Sequence, residues 1–456
     1  METVMNCFAN TPLRTLALLL ALLLALAAPA VCDGQTSWRF QCASTPRGGD
    51  ILSAGTLYTK PTPPETSAFG FDLSTLPTRF AKDSCTGDKP FFFSVALPDG
   101  NYEVTLTLGG KAASTTTVRA EARRLFVDQL HLAAGASKQI VFNVNVRTKT
   151  IYPAPDEPTP TTGLPEVRLK PREIDALDWD EKLTLEFNGD HPSVRSISIR
   201  PATVPTIYLA GDSTVVDQDK EPWAAWGQML PVFFDSSVAI ANNAESGETI
   251  KSFVGERRYA KIMSTIKPGD FLMIQFAHND QKPGAGYVPA ATDYKKYLLQ
   301  YIADARSHGA TPILVTSMNR RNFDAGGKIV QTLGDYPQAM REVAADQKVA
   351  LIDLNALSKT LFEALGPEGT LHAFVHYPAN TFPDQPTELK DETHFNSYGA
   401  YELARAIVQS IREQHLPLEQ FLRPNIPLFD PAHPEPFTAW KLPPCPFVST
   451  TTPYGR

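Results

Sequence analysis

The sequence predicts a β-sandwich over residues 33–200, followed by an α/β domain over 201–415 with a parallel sheet covered by helices on both faces. Three observations predict it. Residues 35–200 hold short strand-like segments at regular spacing with no helical window between them. After Pro201, short apolar runs alternate with stretches of helical spacing, the signature of βαβ crossovers. Polar clusters stand just past three of those apolar runs, where open α/β sheets bind ligands.

The chain opens on a leader. Arg14 precedes LALLLALLLALAA (Leu16 to Ala28), and Pro29-Ala30-Val31-Cys32 follows. This apolar stretch is short of the ~18–20 residues of a membrane span and ends in small residues. Residues 1–32 read as a signal peptide, cleaved after Ala30 or Cys32, with an uncleaved anchor as the alternative. A secreted or periplasmic protein with no membrane attachment after cleavage is expected. Of the cysteines, Cys42, Cys85 and Cys445 stay in the mature chain. Export permits a disulfide. Cys42 and Cys85 share the small β-domain, where a staple contributes most, and are expected to pair, leaving Cys445 free. Buried free thiols are the alternative.

In the first domain FFFSVAL (Phe91 to Leu97) and YEVTLTL (Tyr102 to Leu108) flank the turn Pro98-Asp99-Gly100-Asn101. Further strands fit RRLFVDQLHL, QIVFNVNV, KLTLEF and VRSISIR. Phe142, Val144 and Val146 alternate with Asn143, Asn145 and Arg147, as in a half-buried strand. Phe91 and Phe93 share one face and Phe92 takes the other, so that strand is expected to be covered on both sides, with the α/β domain as the cover. Trp38 and Trp179 are the domain's only tryptophans, too few for a sugar-stacking platform, so it is expected to pack on its neighbour. Pro153 to Pro165 reads as a long loop.

The α/β domain carries TIYLA, VAIANNA, FLMIQFA, PILVTSM and VALIDL as strands, and Asp293 to Arg306 as a helix. From Leu416 to 456 the chain is Pro-rich and unperiodic, a surface wrap anchored by Phe421, Phe429, Phe437 and Trp440. The net charge of −7 and the lack of a basic block argue against a nucleic-acid partner.

Four clusters carry chemistry: Gly211-Asp212-Ser213-Thr214, Asn243 to Gly247, Ala277-His278-Asn279-Asp280, and Asp391-Glu392-Thr393-His394 on a loop. A serine hydroxyl needs a base, and His394 is one candidate. Asp391, three residues earlier, can hold its tautomer. The backbone N–H groups of Ser213 and Gly247 and the Asn279 amide suit an oxyanion hole. No metal or other cofactor is required.

This set resembles the SGNH (GDSL) hydrolases, whose blocks supply Ser, Gly, Asn and Asp-x-x-His in this order. GDST with PWAAWGQM, FAHND and DETHFNSYGA resembles the rhamnogalacturonan acetylesterase branch, in which a preceding β-sandwich also occurs. The resemblance implies a flavodoxin-like hydrolase domain behind a galactose-binding-like accessory domain. It implies a serine esterase removing acetyl groups from an acetylated polysaccharide, pectic rhamnogalacturonan first. Xylan or another acetylated glycan is the alternative substrate, and a non-catalytic carbohydrate-binding protein the alternative class. The third block departs from the branch, with Ala277 where Gly is usual; extended backbone there would make the change neutral. Asp212, Thr214, Trp223, His278 and His376 are candidate substrate contacts; packing of helix on sheet is the equal alternative for Trp223 and Trp226, read on one helix, and bracing of the third loop is favoured for His278. Arg320 and Arg321 read as a solvated pair, and Asp217 and Asp219 lack further metal ligands.

Overall fold

The computed structural model describes residues 37–43, 48–62, 68–153 and 163–453. The leader assigned to 1–32 and most of the Pro/Thr-rich loop lie outside the described residues. No helix among the described residues is long and apolar enough to cross a membrane.

The N-terminal part is two β-sheets packed face to face. One runs Lys138–Val146, Gly100–Leu108, Ser193–Pro201, Trp38–Gln41 and Asp50–Ile51; the other runs Phe69–Asp72, Phe91–Ala96, Lys182–Asn188, Ser114–Ala120 and Arg124–Leu132. Period-two patterning fixes which side chains meet. Along Gly100–Leu108, Tyr102, Val104, Leu106 and Leu108 are buried while Glu103, Thr105 and Thr107 are partly exposed. These apolar residues join Phe40, Phe91, Phe93, Phe142 and Phe187 in one core between the sheets. Cys42 and Cys85 form a disulfide, and Cys445 is a buried free thiol.

Two expectations for this part need correction. Phe92 is covered by the C-terminal tail, not the α/β domain: its ring lies 5.3 Å from that of Phe447. The polar face of Lys138–Val146 is not fully solvated either: Gln139 is exposed, but Asn145 is only partly so and Asn143 is buried. Asn143 Nδ2 donates to the Ser236 carbonyl, and Arg147 is buried just past the strand's end. That face looks at the α/β domain, which a single strand's alternation cannot distinguish from water.

The α/β part holds five parallel strands in the spatial order Ala239–Asn242, Thr206–Gly211, Phe271–Gln275, Thr311–Val315, Ala350–Ile352. By order of appearance this is 2-1-3-4-5, the flavodoxin-like arrangement, with its switch point beside Thr206–Gly211. Alternate residues of that strand feed two separate cores. Ile207 and Leu209 pack with Leu403, Ile407 and Ile411 of the Ser397–Glu413 helix. Tyr208 and Ala210 pack with Leu298, Tyr301 and Met340 from the Lys295–Ser307 and Tyr336–Gln347 helices. The sheet is therefore covered on both faces, which explains its continuous apolar runs.

The two parts interlock through Arg123-Arg124-Leu125. Leu125 belongs to the hydrophobic core of the α/β part. Arg124 is fully buried; it donates to the Ile240 carbonyl at 3.3 Å and pairs with Asp217 at 3.2 Å. Arg123 donates to the Trp223 carbonyl at 2.7 Å and pairs with Glu221. The tail adds a clasp: Asn188 donates to the Pro444 carbonyl at 3.0 Å, and Ser449 N–H to the Glu221 carbonyl at 2.8 Å. Phe429 is a buried anchor, and Phe421 and Trp440 pack on the core from the outside. Phe437, expected as an anchor, stays 41% exposed and stacks on His372.

Candidate active site

The Thr206–Gly211 strand ends against its neighbour so closely that a Cβ at Gly211 would lie 2.5 Å from Val215 Cγ2 and 3.0 Å from the Gln275 carbonyl. Only glycine fits there. The chain then turns on Asp212, whose carbonyl accepts from Val215 and Val216 N–H and whose Oδ1 accepts from Thr214 N–H and Oγ1. Ser213 is carried on this turn at the carboxyl end of the strand, at the switch point.

Asp391 and His394 lie on the strand Leu389–Phe395, paired antiparallel with Phe374–Tyr377, not on a loop as expected. The register shift between Phe374 and His376 loosens the pairing there. Asp391 Oδ1 then accepts from the N–H groups of Thr393 at 2.8 Å and His394 at 3.0 Å. Its Oδ2 lies 2.9 Å from His394 Nδ1, and His394 Nε2 lies 2.9 Å from Ser213 Oγ. All three side chains are buried.

These contacts fix the protons. Burial pushes the Asp391 carboxyl up, but the hydrogen bonds from His394 and the two N–H groups outweigh it and hold it below its ordinary value. An ionised carboxylate only accepts, so Nδ1 carries the hydrogen, Nε2 accepts, and the Ser213 hydroxyl donates to it. The Trp223 ring stands edge-on to His394 at 6.0 Å.

Gly247 sits at φ +83°, a second reason for glycine. Asn279 Nδ2 donates to the Glu248 carbonyl at 3.0 Å, and its Oδ1 accepts from Lys282 Nζ at 3.0 Å. A pure acceptor on one side and a pure donor on the other determine which way the amide points, and its second N–H hydrogen remains for use. Ala277 is not at positive φ, so its methyl carries no backbone strain. Asp280 is buried and pushed up to about 8 by that burial; it accepts from Ile250 N–H at 2.9 Å.

Most of the candidate substrate contacts have other employment. Asp212 and Thr214 bond each other, and Gln275 donates to Thr214 Oγ1. Trp223 is buried and not helical; the helix begins at Trp226, and Trp223 Nε1 donates to the Ser449 carbonyl. His278 is buried with Nδ1 3.5 Å from Asp212 Oδ2, and burial holds its pKa below the ordinary value. These four brace the blocks from inside. His376 differs: it lines a cavity of about 380 Å³ with Tyr377, Phe382 and Trp440.

Sequence reasoning missed several supports. Arg320 donates to the His278 carbonyl, and Arg321 pairs with Glu392 at 2.9 Å, so neither is a solvated cation. Gln218 Nε2 donates to the Ser213 carbonyl at 3.0 Å.

With His394 proposed as the base for Ser213, activity is expected to fall on the acid side. Asp391 is held below its usual range, so its own protonation adds to the loss only below that range, and above it the slope should be one proton, about tenfold in kcat/KM per pH unit. A two-proton slope, or no acid limb, would contradict the assigned protonation states; a pH–rate profile on an aryl acetate decides.

The sequence profile of the GDSL-like lipase/acylhydrolase family matches residues 209–402. Rhamnogalacturonan acetylesterase RhgT of Bacillus subtilis (strain 168) is 43% identical over 218 residues, covering 47% of this chain and 93% of that protein. The uncharacterized esterase YxiM of the same organism is 29% identical over 327 residues, 71% of this chain and 74% of YxiM. A crystal structure of YxiM covers 84% of this chain and 99% of its own, at 25% identity and a TM-score of 0.45. The chain belongs to the GDSL-like lipase/acylhydrolase family and is a carboxylic ester hydrolase.

Proposed function

We propose that this chain is an exported serine esterase that removes acetyl groups from plant cell-wall polysaccharide, with pectic rhamnogalacturonan as its substrate. The observation that carries the reading is the hydrogen-bonded series Asp391–His394–Ser213 at the sheet's switch point. The identity to an esterase named for rhamnogalacturonan supports the substrate. The leader supports export.

Ser213 Oγ attacks the acetyl carbonyl carbon as His394 Nε2 takes its proton. The carbonyl oxygen becomes an oxyanion facing Ser213 N–H, Gly247 N–H and the Asn279 amide. The intermediate collapses, the ester C–O bond breaks, and His394 returns the proton to the departing sugar oxygen. Water then attacks acetyl-Ser213 with His394 again as base, releasing acetate and restoring the serine. Asp391 keeps the imidazole oriented and stabilises its cation.

The test is acetate release from acetylated rhamnogalacturonan, xylan and mannan, with an aryl acetate as control. Release from rhamnogalacturonan well ahead of the others is expected. Equal or greater release from xylan would move the substrate, and activity on the aryl acetate alone would remove polysaccharide from the reading.

A further inference from the structure

We infer that Lys170, supplied by the segment joining two sandwich strands, is a positioning residue for the oxyanion hole. The inference rests on the oxyanion role proposed above for Gly247. Lys170 Nζ donates to the Ser246 carbonyl at 2.7 Å. That carbonyl and the Gly247 N–H belong to one peptide unit. In a trans peptide the two bonds point in opposite directions within one plane. Gripping the oxygen from behind therefore aims the hydrogen forward. An ammonium on the carbonyl also draws charge from the amide and strengthens its N–H as a donor.

The peptide needs such a grip. Gly247 at φ +83° has no side chain to limit its rotation. The grip is itself anchored. Lys170 also pairs with Glu248, whose carbonyl receives the Asn279 amide, so one ammonium reaches both side-chain and backbone parts of the hole. Lys170 N–H donates to Glu173 Oε2 at 2.8 Å, and Glu173 pairs with the fully buried Arg258 of the α/β part. Arg172 Nε donates to Glu245 Oε1 at 2.7 Å, holding the other end of the same loop. The sandwich thus buttresses the reaction centre through a loop.

The test uses the full chain with Lys170→Met and Lys170→Arg, read on an aryl acetate and on a trifluoromethyl ketone inhibitor. The ketone adds Ser213 Oγ, its proton passing to His394, and forms an oxyanion that must occupy the hole. Removing a whole donor costs about 10²–10³ in kcat; losing only its aim should cost about tenfold. Lys170→Met is expected to lower kcat by that factor at unchanged KM and to weaken the ketone by the same factor. Lys170→Arg should recover most of both. A folded Lys170→Met with unchanged kcat, or with lowered kcat and undiminished ketone affinity, would overturn the inference. Should Lys170→Met not fold, Lys170→Ala, which likewise removes the donor to the Ser246 carbonyl, gives the same comparison. Ser213→Ala measured alongside separates the two claims: its turnover judges the serine mechanism whatever Lys170 does.

Discussion

Ser213→Ala is expected to lose ester hydrolysis by a factor on the order of 10⁶ in kcat while keeping its fold. The size follows from how the site is built. Ser213 Oγ is the atom that His394 Nε2 addresses at 2.9 Å, and the imidazole is committed to it through Asp391. Without the hydroxyl, the proposed base His394 has no serine proton to take, and the proposed oxyanion donors can only assist direct attack by water. The fold is spared because Ser213 contributes one short side chain, while the turn is held by Asp212, Thr214 and the close approach at Gly211. Acetate release and the thermal midpoint, measured on the same preparation, check both halves. Near wild-type turnover by the folded variant would remove Ser213 from the mechanism.

Arg124→Met should be the most destabilising single change at the junction of the two parts, at about 3–5 kcal/mol. Arg124 has no exposed surface, and it pairs with Asp217 and Glu121 while donating to the Ile240 and Asn145 carbonyls. Burial alone already raises the Asp217 and Glu121 carboxyls, and Arg124 opposes that rise. Methionine fills the volume but leaves both acids buried without their cation. Against a net stability of about 5–15 kcal/mol, that is a large share. Denaturant unfolding at neutral pH measures it. A change below about 1 kcal/mol would mean the acids are neutralised by protonation at little cost and the junction is held by apolar contacts such as Leu125.

The parallel sheet was readable because Thr206–Gly211, Phe271–Gln275 and Thr311–Val315 are buried on both faces and so appear as unbroken apolar runs. Ser213, Asp391 and His394 drew notice as candidates because each sits in a short polar block, and the structure brings these three into hydrogen-bond distance of one another. What escaped was everything made by distant segments. Arg123 and Arg124 looked like the start of a strand, since their partners Glu221 and Asp217 lie about a hundred residues away. Phe92 was rightly expected to be covered, yet nothing near it names Phe447. The loop assigned to Asp391–His394 proved to be a strand because the polar string DETH masks its pairing with Phe374–Tyr377. Trp223 read equally as a packing residue and His278 more readily as a brace than as a substrate contact, since sequence shows residue type but not which way a side chain turns; both are buried.

The most direct test of the account is to stop the reaction halfway. The enzyme is mixed with excess aryl acetate, quenched in acid within the first turnovers, digested and mapped by mass spectrometry. One acetyl group is expected, on the peptide carrying Ser213, absent from Ser213→Ala and lost on dilution into buffer before quenching. An acetyl group on another residue that turns over at the catalytic rate would contradict it.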